Sequence, residues 1–201
     1  MRPLRLLMLL SLLAPAPAAL AQENVSAEAS ASVKVAPKKP AELRAEELDR
    51  LFGQLHRDGA ESLAATAEKK IWDNWARNDS ITAEVLLGQA SKAMNAQEYE
   101  TAEIILDRLL EAQPAYAEAW NRRATLNFLS KRYEKSLADI EKVLELEPRH
   151  FGALSGRGMI LEAMDKPDEA LAAYREALTM NPYMRAVEEK VKMMEKARPD
   201  I

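Results

Sequence analysis

Residues 83–114 read AEVLLGQASKAMNAQEYETAEIILDRLLEAQP, residues 115–148 read AYAEAWNRRATLNFLSKRYEKSLADIEKVLELEP, and residues 149–182 read RHFGALSGRGMILEAMDKPDEALAAYREALTMNP. Each block ends in a proline, and Pro114, Pro148 and Pro182 are evenly spaced. The same chemistry recurs at the same places. A large apolar residue opens each block (Leu86, Trp120, Leu154), and a small one follows four positions later (Ala90, Ala124, Gly158). A second small residue comes after a turn (Ala102, Ser136, Ala170). Then come a bulky apolar residue (Leu106, Ile140, Tyr174) and a third apolar position (Leu109, Val143, Ala177). Fixed periods of roughly 20–50 residues mark repeat architectures. The spacing predicts one helix pair per block. Small residues let the two helices approach, bulky ones fill the space beside them, and proline halts the second helix.

This pattern resembles the tetratricopeptide repeat, whose motif runs W-x2-L-G-x2-Y, then A-x3-F, then P over roughly 34 residues. Three blocks in register carry the resemblance over about half of the chain. The departures are Gln89, Arg123 and Arg157 where the motif has leucine, and Ala93, Asn127 and Leu161 where it has tyrosine. The resemblance implies an all-α fold, a right-handed α-solenoid of antiparallel helix pairs with terminal capping helices. Its repeats would span residues 83–116, 117–150 and 151–184.

Composition agrees with a helical protein. Charged residues make up 30% of the 201, aromatics 5%, and there are only 6 glycines. With 28 basic and 32 acidic residues the net charge is −4, which provides no electrostatic footprint for nucleic acid. The absence of cysteine excludes disulfides, thiolate nucleophiles and cysteine-ligated zinc.

Residues 1–21 read as a signal peptide. Arg2 and Arg5 precede a short apolar run, Leu6 to Leu13, and Ala19-Leu20-Ala21 forms the cleavage site. That run is shorter than the roughly 20 residues needed to span a bilayer. The expected location is therefore the periplasm or the exterior, with cleavage after Ala21 and no transmembrane span in the mature chain. Residues 22–40 lack period and read as a disordered linker. Residues 41–80 hold a helical hairpin. Its first arm carries Leu43, Leu48, Leu51, Phe52 and Leu55, Asp58-Gly59 breaks it, and its second arm carries Leu63, Ala67, Ile71, Trp72 and Trp75. Trp72 and Trp75 precede Leu106 and Leu109 by one full period, and Ser80 stands where the proline would be. The hairpin is either a degenerate fourth repeat or an unrelated cap, and its tryptophans are expected to fill the junction with the array. Residues 185–198 read as a capping helix built on Val187, Val191 and Met194, with Glu188 and Lys192 paired on its surface.

The sequence holds no catalytic constellation. His56 and His150 lack partners at a metal-ligand spacing such as H-E-x-x-H and are expected at the surface or at junctions. The glycines at 152, 156 and 158 precede no G-K-[S/T], and Ser155 is one place late for G-x-S-x-G. No cofactor or metal is expected, and the chain reads as a non-enzyme. What remains is a surface, since stacked helix pairs present an extended concave face. The resemblance implies that the first helix of each pair lines it. By position these residues are Glu84, Leu87, Ser91 and Met94, then Glu118, Asn121, Arg122, Thr125 and Phe128, then Gly152, Ser155, Met159 and Glu162. Apolar members would receive apolar side chains, and Asn121 would bond a peptide backbone. A clamp for a terminal carboxylate is excluded. At its positions (Leu87, Ser91, Arg122, Gly152, Gly156) only Arg122 is basic. The expected function is a non-catalytic adaptor or assembly factor that binds a peptide or helix of another envelope protein. The alternatives are a self-associating scaffold, as a homodimer, and, third, an enzyme or obligate enzyme subunit.

Overall fold

The structure, a computed structural model, describes residues 38–57 and 59–197. The expected signal peptide, most of the expected linker, Asp58 and the last residue of the expected capping helix, Arg198, lie outside these residues. The described residues form nine helices and no strand. They are α1 (Pro40–Leu55), α2 (Glu61–Trp75), α3 (Ile81–Asn95), α4 (Tyr99–Ala112), α5 (Ala117–Leu129), α6 (Tyr133–Leu146), α7 (Phe151–Ala163), α8 (Pro167–Met180) and α9 (Arg185–Lys196). Helix α1 starts one residue before the expected boundary, with Pro40 in its first turn. Proline is tolerated there because the first-turn N–H groups have no intrahelical acceptor. None of these helices is long and apolar enough to cross a membrane.

The repeat signature acts through two devices. The first is the turn inside each pair. Gln97, Lys131 and Asp165, again one period apart, adopt positive φ of 62°, 56° and 59°. After each, an N–H reaches back to the preceding helix: Glu98 to Ala93 O, Arg132 to Asn127 O and Lys166 to Leu161 O, at 2.8–2.9 Å. This geometry closes the helix through a left-handed residue, a position that glycine fills without a Cβ penalty. Lys131 bears that penalty. Lys131→Gly is therefore expected to stabilise the protein by about 0.5–1 kcal/mol, net of glycine's greater unfolded freedom. Chemical denaturation would show it as a raised midpoint, and an unchanged or lowered midpoint would contradict the account.

The second device is small-to-large matching within each pair. Ala90, Ala124 and Gly158 are buried, as are Leu106, Ile140 and Tyr174. In the third pair the matched sizes shift. A Cβ on Gly158 would stand 2.6 Å from the Tyr174 ring, so the larger ring takes the volume that alanine occupies in the other pairs. Ser136 replaces alanine at the second small position and donates its buried hydroxyl to Ala124 O at 2.7 Å, so its polarity is satisfied.

First helices pack on one another (α3 on α5, α5 on α7) as well as on their own partners. They therefore line the inner face of the array, as the resemblance implied. The arginine departures have a structural role. Arg123 grips Asp139 of α6 with Nε and Nη2 (3.1 and 2.7 Å), reaches Asp107 of α4 with Nη1 (2.9 Å), and lies over the Trp120 ring at 4.7 Å. Asn127, where the motif has tyrosine, donates to the same Asp139 at 2.8 Å. One planar guanidinium thus ties the first pair to the second. At the carboxyl end α9 packs on α8, burying Val187 and Val191 against the third pair's core, and Lys192 pairs with Glu188 outside.

Helices α1 and α2 share a core of Leu48, Leu51, Phe52, Leu55, Ala64, Ala67, Ile71 and Trp75. Leu43 and Leu63 point to solvent instead, off the buried stripe. The hairpin does not pack on α3 and α4 as successive repeats pack on each other. Its core continues into Phe151, at the start of α7, flanked by Met180, Tyr183 and Met184. So the tryptophans fill a junction with the third pair, not with the first. The one-period offset of Trp72 and Trp75 does not mark a stacked fourth repeat. The face of α3 that a preceding repeat would cover is open. Ala119 and Ala153 are buried at the position of Val85, which is 52% exposed, and Ile81 is 79% exposed.

Candidate partner-binding face

The residues expected on the inner face divide into three groups. Leu87 and Met94 are buried in the core of the first pair. They pack between helices and are unavailable to a partner. Ser91 is half-buried, and its hydroxyl donates to Leu87 O at 2.9 Å. Glu84 is tied to the linker before α3 and accepts from Asn78 N at 2.8 Å. The first pair therefore contributes little accessible surface. Leu87 and Met94 lie on the side of α3 that joins the core with α4 and α5, while Ile81 and Val85 on its other side stand open.

The second group forms an open slot between α5 and α7. Asn121, Thr125 and Phe128 from α5 face Gly152, Gly156 and Met159 from α7. Ala124, Ser136, Ile140 and Ile160 make its floor. The open volume is about 100 Å³, which suits one aliphatic side chain. Phe128 is braced by Tyr133, ring centres 5.9 Å apart. Met159 stands 48% exposed at the rim, and a thioether there adapts to varied shapes. Ser155, half-buried, is not among the lining residues. Glu162 ends the face on the far side. Its carboxylate accepts from Lys190 (2.7 Å) and from the Tyr174 hydroxyl (3.1 Å). Those bonds, Lys190's first, hold it below its ordinary range.

The third group is a buried polar knot at the amino ends of α5 and α7. Glu118 is fully buried, accepting from Arg122 (2.5 Å) and Asn121 (2.9 Å) on its own helix and from His150 Nε2 (3.3 Å). Burial pushes its carboxyl up, but His150, Arg122 and Asn121 outweigh that and hold it below its ordinary range. His150 is the cap of α7. Its Nδ1 accepts from Ala153 N at 3.1 Å, so the proton sits on Nε2, facing Glu118. Its ring stacks on Trp75 at 3.9 Å and 12°. Arg122, the single cation at a clamp position, is thus committed to Glu118, and the exclusion of a carboxylate clamp rests on pairing as well as on count.

Sequence reasoning placed Glu118 and Gly152 on the inner face but missed what covers them. Trp72 abuts Gly152, where an added Cβ would lie 2.3 Å from Trp72 Cη2. The signal was present: the equivalent positions in the first two blocks are Glu84 and Glu118. Only the third block omits a side chain there, and that space receives the indole. Hairpin side chains add further ties. Arg149 pairs with Asp49 at 2.6 Å and lies over the Phe52 ring. His56 contacts Thr179 O at 2.9 Å. The Tyr116 hydroxyl donates to Ala76 O.

Comparison with known proteins returns the same architecture. Tetratricopeptide repeat models match residues 117–150 and 152–184. A TPR repeat-containing protein of Rhizobium etli is 38% identical over 180 residues, covering 90% of this chain and 84% of that protein. The small glutamine-rich tetratricopeptide repeat-containing protein 2 of Saccharomyces cerevisiae is 32% identical over 96 residues, which are 48% of this chain and 28% of that protein. Among solved structures, the first TPR of Spaghetti (RPAP3), bound to an HSP90 peptide, superposes with a TM-score of 0.56 at 24% identity. It covers 59% of this chain and 94% of that one. MamA superposes with a TM-score of 0.54 at 18% identity over 80% of this chain and 85% of its own. At these identities the structures establish the fold.

Proposed function

The chain belongs to the tetratricopeptide repeat family, and from that premise we propose that it is a non-catalytic adaptor or assembly factor of the bacterial cell envelope. On this reading it holds a peptide or helix of another envelope protein against the inner face of α5 and α7. The observation that carries it is the α5–α7 slot, which joins an apolar floor to Gly156 on α7, a glycine that no other side chain fills. Glycine leaves room for a second backbone to approach, and the slot then receives one apolar side chain of the bound segment. The peptide bound by the RPAP3 domain supports peptide capture as a use of this architecture. The signal-like residues 1–21 support the envelope location.

In-cell crosslinking of the tagged full chain, followed by mass spectrometry, tests the proposal. Beside it runs a Phe128→Glu, Met159→Glu variant. A carboxylate in the slot faces an apolar floor, and burying it there costs several kcal/mol. The expected result is one dominant envelope partner, reduced at least tenfold in the variant. A partner retained in full by the variant would move the site off this face.

Self-association is a second reading, favoured by the open apolar side chains of Ile81 and Val85 at the amino end of the array. Sedimentation across a concentration series separates the two. A mass that doubles with concentration, and no longer does so in Ile81→Lys, Val85→Lys, would support it.

A further inference from the structure

The amino-terminal hairpin sits where a ligand would sit. Helix α2 reaches the inner face through two side chains three positions apart. Trp72 fills the space left by Gly152, and Trp75 lies flat on the cap residue of α7. Gly152 also lines the open slot, so the seat of the indole and the slot meet at that residue. Phe151 completes the aromatic seat, 5.4 Å from Trp72 and 4.9 Å from Trp75 by ring centres.

The hairpin is attached as a docked element and not as a stacked repeat. Its core is built mostly from α1 and α2 and ends on Phe151 of α7. Its helices make side-chain contacts with the array without close backbone packing on it. The outlying ties, Asp49 to Arg149 and His56 to Thr179 O, are exposed. A short linker, residues 76–80, joins it to α3, which starts afresh with Ser80 as its own cap. Trp75 Nε1 is buried and has no acceptor among the described residues, and an unmet buried donor is unfavourable.

We propose that α1–α2 is a resident ligand of the groove, held in cis, and that the partner is an amphipathic helix bearing two aromatic side chains three positions apart, which takes its place. This deepens the reading of the inner face as a binding surface and rests on it. The chemistry follows from the seat. A glycine notch, an imidazole face and a phenylalanine edge accept planar aromatic groups, and residues at i and i+3 project from one side of a helix. A helix that also fills the open slot gains apolar contacts that α2 does not make. The resident hairpin lowers the apparent affinity for every partner by the fraction of time it is docked, so only helices matching both parts of the groove compete well.

The test uses the full chain. Trp72→Ala, Trp75→Ala removes the resident side chains and leaves the seat intact. The probe is a labelled synthetic peptide of residues 40–76. Its affinity is expected to be at least tenfold higher for the variant than for the unaltered chain. Adding Gly152→Leu, which fills the notch, is expected to abolish uptake. Equal binding to the two chains, or none by the variant, overturns the proposal. So does exchange of hairpins between two copies that excludes the peptide at every concentration, because the occupant is then a second copy. Native-state hydrogen exchange on the unaltered chain is the readout that does not depend on the variant folding. The α1–α2 amides are expected to exchange as one unit at least tenfold faster than those of α5–α7. Exchange of both sets only through a common global opening would show an integral part of the array, and the proposal would fall. None of these readouts requires the envelope partner, so failed exchange and a failed partner search are distinguishable.

Discussion

Phe151→Ala is expected to destabilise the protein by about 3–5 kcal/mol, the cost of emptying a fully buried aromatic site. Phe151 is completely buried and touches Phe52, Trp72 and Trp75 at ring-centre distances of 6.3, 5.4 and 4.9 Å. It starts α7 and also belongs to the core of the hairpin. Its loss is therefore expected to act unevenly. The amides of α1 and α2 should lose most of their protection, while those of α3 and α4, which pack on each other and on α5, should keep theirs. In thermal unfolding the effect corresponds to a fall of roughly 10 °C for a chain of this length. Uniform loss of protection along the whole chain would contradict the assignment of Phe151 as the hinge pin between hairpin and array.

Glu118 yields the second large effect, and its sign is fixed by its surroundings. Glu118→Ala leaves His150 Nε2, Asn121 Nδ2 and Arg122 without their shared acceptor in a buried site. Breaking a buried ionic knot from one side costs about 3–5 kcal/mol, and the lower end applies here because Arg122 is partly open to water. The carboxyl is held below the ordinary value of 4.5 in the fold. A depressed acid contributes stability that is fully present above its unfolded value and lost as pH falls through the folded one. The unaltered chain is thus expected to lose stability below about pH 4.5. Glu118→Gln, which keeps an acceptor but has no charge to titrate, should lose less over the same interval. Urea midpoints of the two chains at pH 7 and pH 3.5 measure this. A gap between them that stays constant with pH would contradict the charged knot.

The readable and unreadable parts of the molecule divide along one line. The three helix pairs were legible because each repeats the same local solution. Small residues sit at 90, 124 and 158, bulky ones at 106, 140 and 174, and each pair contacts mainly its neighbours. The left-handed residues Gln97, Lys131 and Asp165 were not legible as such, since none is glycine. Their position was marked only by the period. In the candidate site, Asn121, Thr125, Phe128 and Met159 line the open slot between α5 and α7. Leu87 and Met94 belong instead to the core of the first pair, because at those positions they are large apolar side chains that pack between helices. The two histidines show the same limit. His150 is expected from the sequence only at the surface or at a junction, and the fold makes it the cap of α7, meeting Glu118 and stacking on Trp75. Each of those partners comes from a different segment.

The sequence alone determined the all-α fold, its repeating helix pairs and the period that relates them. All of these follow from spacing within a few turns of chain. Only the tertiary structure decided where the amino-terminal hairpin goes. A stacked repeat and a docked hairpin bury the same apolar stripe, and hydrophobic burial has no direction. The choice was made by contacts far apart in the chain: an indole that fits where Gly152 has no side chain, an imidazole that offers its face to Trp75, and Phe151 between them.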